Sequence, residues 1–137
     1  MAMTFTLTKA YLDSKDLKCQ VVDDEKALRV GFNVDTGSIE IIVIFDDNDR
    51  TVALRCFSYI KIPAAKKDEM YKVCSEMNDC FRWIRFYVNE KNVTITMALD
   101  AVVQLDTCGE EIEELLMRMA SIGNEAYPKF MRAIYAG

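Results

Sequence analysis

The chain has 137 residues, of which 51% are hydrophobic and 28% charged, with only 5 glycines and 2 prolines. This composition excludes a disordered, collagen-like or low-complexity chain and predicts a single globular domain over 1–137. The formal net charge of −5 argues against a nucleic-acid partner, because an acidic domain repels phosphate backbones.

Histidine is absent from the sequence. Its absence excludes Ser-His-Asp and Cys-His nucleophilic sites, and it removes the side chain that most often transfers protons near neutral pH. The glycines form neither a G-x-G-x-x-G motif nor a phosphate-binding loop. We therefore expect a protein that is not an enzyme, with no catalytic residues, no cofactor and no metal.

The five cysteines are odd in number and contain no C-x-x-C pair, so zinc, iron–sulfur and thioredoxin spacings are missing. Their apolar neighbours are typical of reduced thiols in a core, which favours a cytoplasmic location. The most continuous apolar run, 41–45, is far shorter than the roughly 20 residues that span a bilayer, and the first residues lack a secretory pattern. No membrane association is expected.

In the first half of the chain, apolar spacing predicts a helix over 4–13, followed by a brief extended segment at 18–22. Alternation over 28–34 predicts a strand with one buried face. The next strand, 38–45, is apolar at nearly every position, which predicts a central strand covered on both sides. A third strand is predicted over 51–62, so these strands form an antiparallel meander.

Three acidic segments have structural explanations. The run 46–49 fails the calcium-loop pattern, because Arg50 and Thr51 would occupy its fifth and sixth positions, and it predicts a turn. Paired-carboxylate catalysis at Asp23-Asp24-Glu25 or at 110–114 is disfavoured. The former predicts another turn, and the latter predicts a helix start at which negative charge is stabilised.

The second half begins with Pro63, which suits the first turn of a helix, and apolar residues at three- and four-residue spacing predict that helix through Phe81. The segments 82–88 and 92–99 alternate and predict a hairpin. Its inward-facing residues are predicted to be Ile84, Phe86, Val88, Val93, Ile95, Met97 and Leu99.

A final helical region begins at Thr107, which matches a capping box with Glu110. Gly123-Asn124 and Pro128 predict a break or kink before the last helical segment. The resulting domain is α+β with the order α-β-β-β-α-β-β-α, and an additional short strand at 18–22 is left open.

The second face of the hairpin is the candidate functional surface. It is predicted to combine aromatic, arginine and threonine side chains, types that include those enriched in protein–protein hot spots. A covering helix would make the same face part of the core, and base stacking would make it a single-strand nucleic-acid site, which the net charge disfavours. The candidate interface residues are Trp83, Arg85, Tyr87, Thr94 and Thr96.

Eight methionines leave a further alternative, because flexible thioethers suit both irregular cores and adaptable binding surfaces. A small-molecule-binding regulatory domain would place a pocket between the sheet and the last helix, lined by Met97, Met119 and Tyr127.

The run 78–88, the hairpin into 93–95 and the long helix ending at 126–131 resemble YbjN-domain proteins, which are described as bacterial sensory-transduction regulators. The resemblance covers roughly 4–136. It implies a twisted antiparallel sheet flanked by helices, like that of type III secretion chaperones, commonly dimeric and without a catalytic centre. The expected function is a non-enzymatic, chaperone-like or regulatory interaction module that forms a homodimer and binds an unidentified protein.

Overall fold

The computed structural model describes residues 2–24 and 26–136. Within these ranges the chain forms three α-helices and six β-strands, and short 3₁₀ turns at Ala64–Lys66 and Leu105–Thr107 precede the second and third helices. The elements are α1 (Met3–Ser14), β1 (Cys19–Val22), β2 (Ala27–Val34), β3 (Gly37–Phe45), β4 (Thr51–Lys61), α2 (Lys67–Cys80), β5 (Arg85–Asn89), β6 (Thr94–Val102) and α3 (Cys108–Tyr135).

The six strands form one antiparallel sheet in the order β1-β2-β3-β4-β6-β5. The first four strands are a meander, α2 then crosses to the far edge, and β6 returns to lie between β5 and β4. The predicted element order is confirmed, and the segment left open at 18–22 contains the edge strand β1.

Side-chain chemistry explains the predicted acidic turns. Asp23 and Asp24 have φ values of 54° and 51°, a left-handed conformation that aspartate tolerates in turns. In the next turn, Asn48 Oδ1 accepts hydrogen bonds from the N–H groups of Arg50 and Thr51. Both turn predictions are confirmed for the described residues, whereas Glu25 lies outside them.

One face of the sheet carries the hydrophobic core. Leu28, Val43 and Leu54 are adjacent in the strand register and fully buried. Helix α3 packs against the β5 end through Phe130, whose ring lies 5.2 Å from that of Phe86. Each fully buried side chain of this size contributes about 1.5–3 kcal/mol relative to an exposed one. The helices are therefore held on this face by apolar burial.

The other face of β3 differs from its prediction. Ile42 and Ile44 are only half-buried and Glu40 is exposed, whereas Ile41 and Val43 are fully buried on the core side. The aromatic contacts of α1 and α3 involve core-face residues such as Phe45 and Phe86. The prediction of a strand covered on both sides is therefore wrong, although β3 does lie inside the sheet.

Helix α3 is continuous from Cys108 to Tyr135, so the predicted break is wrong, whereas its alternative, a kink, stays a prediction. Gly123 serves close packing instead, because a Cβ at this position would lie 2.8 Å from Ile39 Cδ1. Beyond Pro128, Phe130 and Ile134 remain buried. This packing holds the helix together despite the backbone hydrogen bond that proline removes.

The start of α3 also differs from its prediction. The Thr107 hydroxyl donates to Glu111 Oε2 at 2.8 Å, and the same carboxylate oxygen accepts the Gln104 N–H at 2.9 Å. Thr107 makes no capping bond to the helix backbone, so the predicted capping box with Glu110 is wrong. Glu111, the residue after Glu110, therefore links the preceding turn to the helix through these two hydrogen bonds.

Candidate protein-interaction surface

The sheet face opposite the helices forms a continuous surface, here called the open face. Strand register and alternation place its residues side by side on five strands. They are Arg29, Glu40, Ile42, Ile44, Ala53, Arg55, Phe57, Arg85, Tyr87, Thr94, Thr96, Ala98, Asp100 and Val102.

Ion pairs cross the strands of the open face. Asp100 Oδ1 lies 2.9 Å from Arg55 Nη2, and its other oxygen lies 4.0 Å from Arg85 Nη2. Arg55 is only 17% exposed and also donates through Nη1 to the carbonyl oxygens of Leu54 and Leu99. At the other end of the face, Arg29 Nε lies 3.0 Å from Glu40 Oε1. The open face thus carries positive and negative side chains as neighbouring pairs.

Four of the predicted interface residues lie on the open face. Arg85 is exposed, and its guanidinium carbon lies 5.9 Å from the ring centre of half-buried Tyr87. Thr94 and Thr96 are buried beside them, so these two residues offer little area to a partner. The Thr96 hydroxyl oxygen has no hydrogen-bond partner among the described residues.

Trp83, the fifth predicted interface residue, does not lie on the open face. Its φ of 76° turns the chain before β5, whose alternation begins only at Arg85. The indole is 61% exposed and lies 5.5 Å from the guanidinium of Arg118 on α3. The alternation that predicted a shared face therefore does not extend to Trp83, which stands at the edge of the sheet beside a helix.

Phe57 and Val102 are exposed apolar residues of the open face that are not among the predicted interface residues. The register between β4 and β6 shifts between Cys56 and Ile60, and Ser58 adopts a φ of 54° within this bulge. Phe57 follows core-facing Cys56, so alternation directs it to the open face, where it is 47% exposed. Val102 is 61% exposed at the end of β6. The preference of bulges for functional surfaces supports a role for Phe57, but alternation alone does not predict one.

The predicted small-molecule pocket is filled by core packing. Met97 and Met119 are fully buried, and a Cβ on Gly123 would already lie 3.1 Å from Met97 Sδ. Tyr127 packs its ring 6.2 Å from that of Tyr59, whose hydroxyl donates to the Gly123 carbonyl. These methionines therefore belong to the core.

Burial raises the pKa of Cys56 and of Cys74 to about 11, so both thiols stay protonated at neutral pH. Within residues 2–24 and 26–136, no group of cysteine and acidic side chains is placed to hold a metal ion. None of the helices in these ranges is long and apolar enough to cross a membrane.

A model of the YbjN family, described as "Putative bacterial sensory transduction regulator", matches residues 7–132. The fold is similar to that of YbjN from E. coli, a "putative transcription regulator", with a TM-score of 0.63, 10% identity and coverage of 90% of this chain and 91% of that chain. It is also similar to ExsC in the ExsC–ExsE complex, with a TM-score of 0.59, 10% identity and coverage of 92% and 94%.

No curated protein sequence matches the chain significantly. The structural similarities concern the fold, and they confirm the expected α+β, type III secretion chaperone-like architecture. The family match spans most of the sequence. The chain therefore belongs to the YbjN family.

Proposed function

We propose that this protein is a non-enzymatic interaction module that forms a homodimer through the open face and binds a further protein. One observation carries the proposal. Strand β3 has apolar side chains on both faces, yet Ile42 and Ile44 are only partly buried while Ile41 and Val43 are fully buried. Phe57 and Val102 extend this apolar surface across the sheet, as expected of an interaction site.

The charges of the open face suit a second copy of the same chain. A twofold axis brings one surface against itself, so each charged group needs an opposite charge on that surface. Asp100 lies between Arg55 and Arg85, and Glu40 pairs with Arg29. An antiparallel copy could exchange such partners without leaving a charge unpaired, which supports self-association.

Other features support a protein partner and a cytoplasmic location. The family is described as "Putative bacterial sensory transduction regulator", and ExsC, whose fold is similar, was solved in a complex with ExsE, which favours a protein partner here. The net charge of −5 disfavours nucleic acid, and the five free cysteines favour a reducing, cytoplasmic setting.

Light scattering over a concentration series tests the homodimer. We expect a mass of about twice the 15.7 kDa of one chain at tens of micromolar, where weak association becomes measurable. Arg85→Glu places a second negative charge beside Asp100 and should lower this mass. Arg132→Glu, a charge reversal on the exposed side of α3, is the matched control. A wild-type monomer would overturn the proposed homodimer.

A further inference from the structure

The two sides of the β5–β6 hairpin are protected differently. The outer edge of β5 is closed by α2, because the Asn78 side chain accepts the Phe86 N–H at 2.6 Å and donates to the Phe86 carbonyl at 3.0 Å. This amide takes the place of a neighbouring strand. Natural sheets commonly protect their edges, since unpaired backbone groups attract other chains.

Strand β6 extends beyond the end of its partner strand β5. Its pairing with β5 ends at Arg85↔Ala98, but β6 continues to Val102. The Val103 N–H donates to the Arg50 carbonyl at 2.7 Å on the β4 side. Because strand residues alternate in hydrogen-bonding direction, the N–H and C=O groups of Asp100 and Val102 point away from β4. Within the described residues, no strand pairs with them there.

A groove of about 350 Å³ runs beside this free edge. Leu99, Ala101 and Leu115 give it an apolar floor, and Trp83 lines it where the chain turns away before β5. Its apolar floor beside unpaired strand backbone suits an extended peptide, whose alternate side chains would contact the floor while its backbone paired with β6.

The charged groups of the groove favour a basic occupant. Its lining contains three carboxylates, those of Asp100, Glu111 and Glu114, and no lysine or arginine. Nearby cations partly balance them: Arg55 and Arg85 lie at Asp100, and Arg118 lies 3.2 Å from Glu114. A second copy of this edge would bring the same carboxylates against each other, so a basic segment fits better.

We propose that this groove binds an extended segment of a partner protein, alternating apolar and basic residues, which adds to the sheet as a strand beside β6. The inference rests on the proposed function in that it identifies the partner's binding segment. It uses the free backbone edge of β6, whose residues Asp100 and Val102 also contribute side chains to the open face.

A fluorescein-labelled eight-residue peptide alternating valine and lysine is the probe, and fluorescence anisotropy measures its binding. Val102→Pro removes one edge N–H that points away from β4, whereas Val102→Thr keeps that N–H and the branched side chain. We expect Val102→Pro to weaken binding by about tenfold and Val102→Thr to leave it close to wild type. Circular dichroism checks that both variants fold.

Two further peptides carry N-methyl groups on all valines or on all lysines. Because alternate N–H groups of a strand point to opposite sides, strand addition predicts that only one of these peptides loses affinity. Equal binding of both N-methylated peptides, equal binding to the Val102→Pro variant, or no binding of the parent peptide would each overturn the inference.

Light scattering on the same samples separates this inference from the homodimer. A peptide that fails to bind a protein of dimeric mass overturns the strand-addition site alone. A peptide that binds a monomer supports the site and overturns the homodimer. Absence of peptide binding to the wild type overturns the peptide site whatever the mass of Val102→Pro, because Val102 also lies on the open face.

Discussion

Asn78 on α2 pairs with both backbone groups of Phe86 on β5, as a neighbouring strand would. The contact fixes the helix to the edge of the sheet and occupies the outward-facing backbone groups of Phe86, which another chain would otherwise pair with. Phe86 in turn packs its ring against Phe130 of α3, so this one residue links α2, through its backbone, to the core, through its side chain.

Replacing Asn78 tests this link. Asn78→Ala removes both hydrogen bonds and should lower the free energy of unfolding by about 1–3 kcal/mol, at roughly 0.5–1.5 kcal/mol for each bond. Asn78→Asp keeps an acceptor for the Phe86 N–H but loses the donor to its carbonyl, so an intermediate stability is expected. Urea unfolding measures both. A wild-type midpoint for Asn78→Ala would show that the paired amide does not stabilise the edge.

Gly109 determines how closely α1 and α3 approach. A Cβ at Gly109 would lie 2.5 Å from the Cβ of Tyr11, a distance that requires the helices to move apart. Gly109→Ala should therefore lower the thermal midpoint, although alanine favours a helix over glycine by about 1 kcal/mol. Gly31→Ala is the control, because a Cβ there meets nothing within 4 Å. Equal midpoints for the two variants would contradict this helix contact.

The sequence was sufficient to predict most of the element order, because each strand carries at least one apolar face of period two and each helix an apolar stripe. The sequence did not predict that α3 is continuous. Gly123 and Pro128 usually interrupt helices, but tertiary packing of Phe130 and Ile134 outweighs their local cost. Such packing depends on distant parts of the chain, so local spacing does not reveal it.

The candidate surface was predicted only in part. Arg85 and Tyr87 share the open face because β5 alternates from Arg85 onward, whereas the positive φ of Trp83 interrupts that alternation. The sequence shows that both faces of β3 are apolar and predicts that other parts of the same chain cover both. Within the described residues, the helices cover only one of them. Phe57 was missed because the bulge that precedes Ile60 leaves no clear mark in the sequence.

Thiol reactivity should follow burial. Cys80 is exposed, whereas Cys56, Cys74 and Cys108 are buried, and burial raises the pKa of Cys56 and Cys74 to about 11. Only a thiolate attacks a disulfide reagent, so at pH 8 these two thiols of the folded protein should react far more slowly than Cys80. Labelling with an aromatic disulfide followed by peptide mass spectrometry measures the order. Fast reaction of Cys56 or Cys74, with Cys80→Ser as the control, would contradict it.

Thr96 offers a stabilising substitution. Its hydroxyl oxygen is buried without a hydrogen-bond partner in the described structure, and a buried unsatisfied polar group costs about 1–3 kcal/mol. Thr96→Val has a similar shape and should raise the free energy of unfolding in urea by up to about 1 kcal/mol. Thr8→Val is the comparison, since the buried Thr8 hydroxyl donates to Cys108 Sγ. A less stable Thr96→Val variant would indicate that this hydroxyl has a partner in solution.

Phe57 provides the most specific probe of the open face. Its side chain is 47% exposed on the sheet, and a buried aromatic residue often dominates the binding energy of an interface. Phe57→Glu should therefore raise the dimer dissociation constant by about tenfold or more. Tyr135→Glu is the matched control, because Tyr135 is 77% exposed at the end of α3, away from the open face.

Sedimentation equilibrium of the wild-type, Phe57→Glu and Tyr135→Glu proteins at one concentration in the tens of micromolar tests self-association through the open face most directly. The wild type and Tyr135→Glu should sediment with about twice the 15.7 kDa chain mass, and Phe57→Glu should shift toward 15.7 kDa. A wild-type mass of 15.7 kDa, or a Phe57→Glu protein that remains as dimeric as Tyr135→Glu, would contradict it.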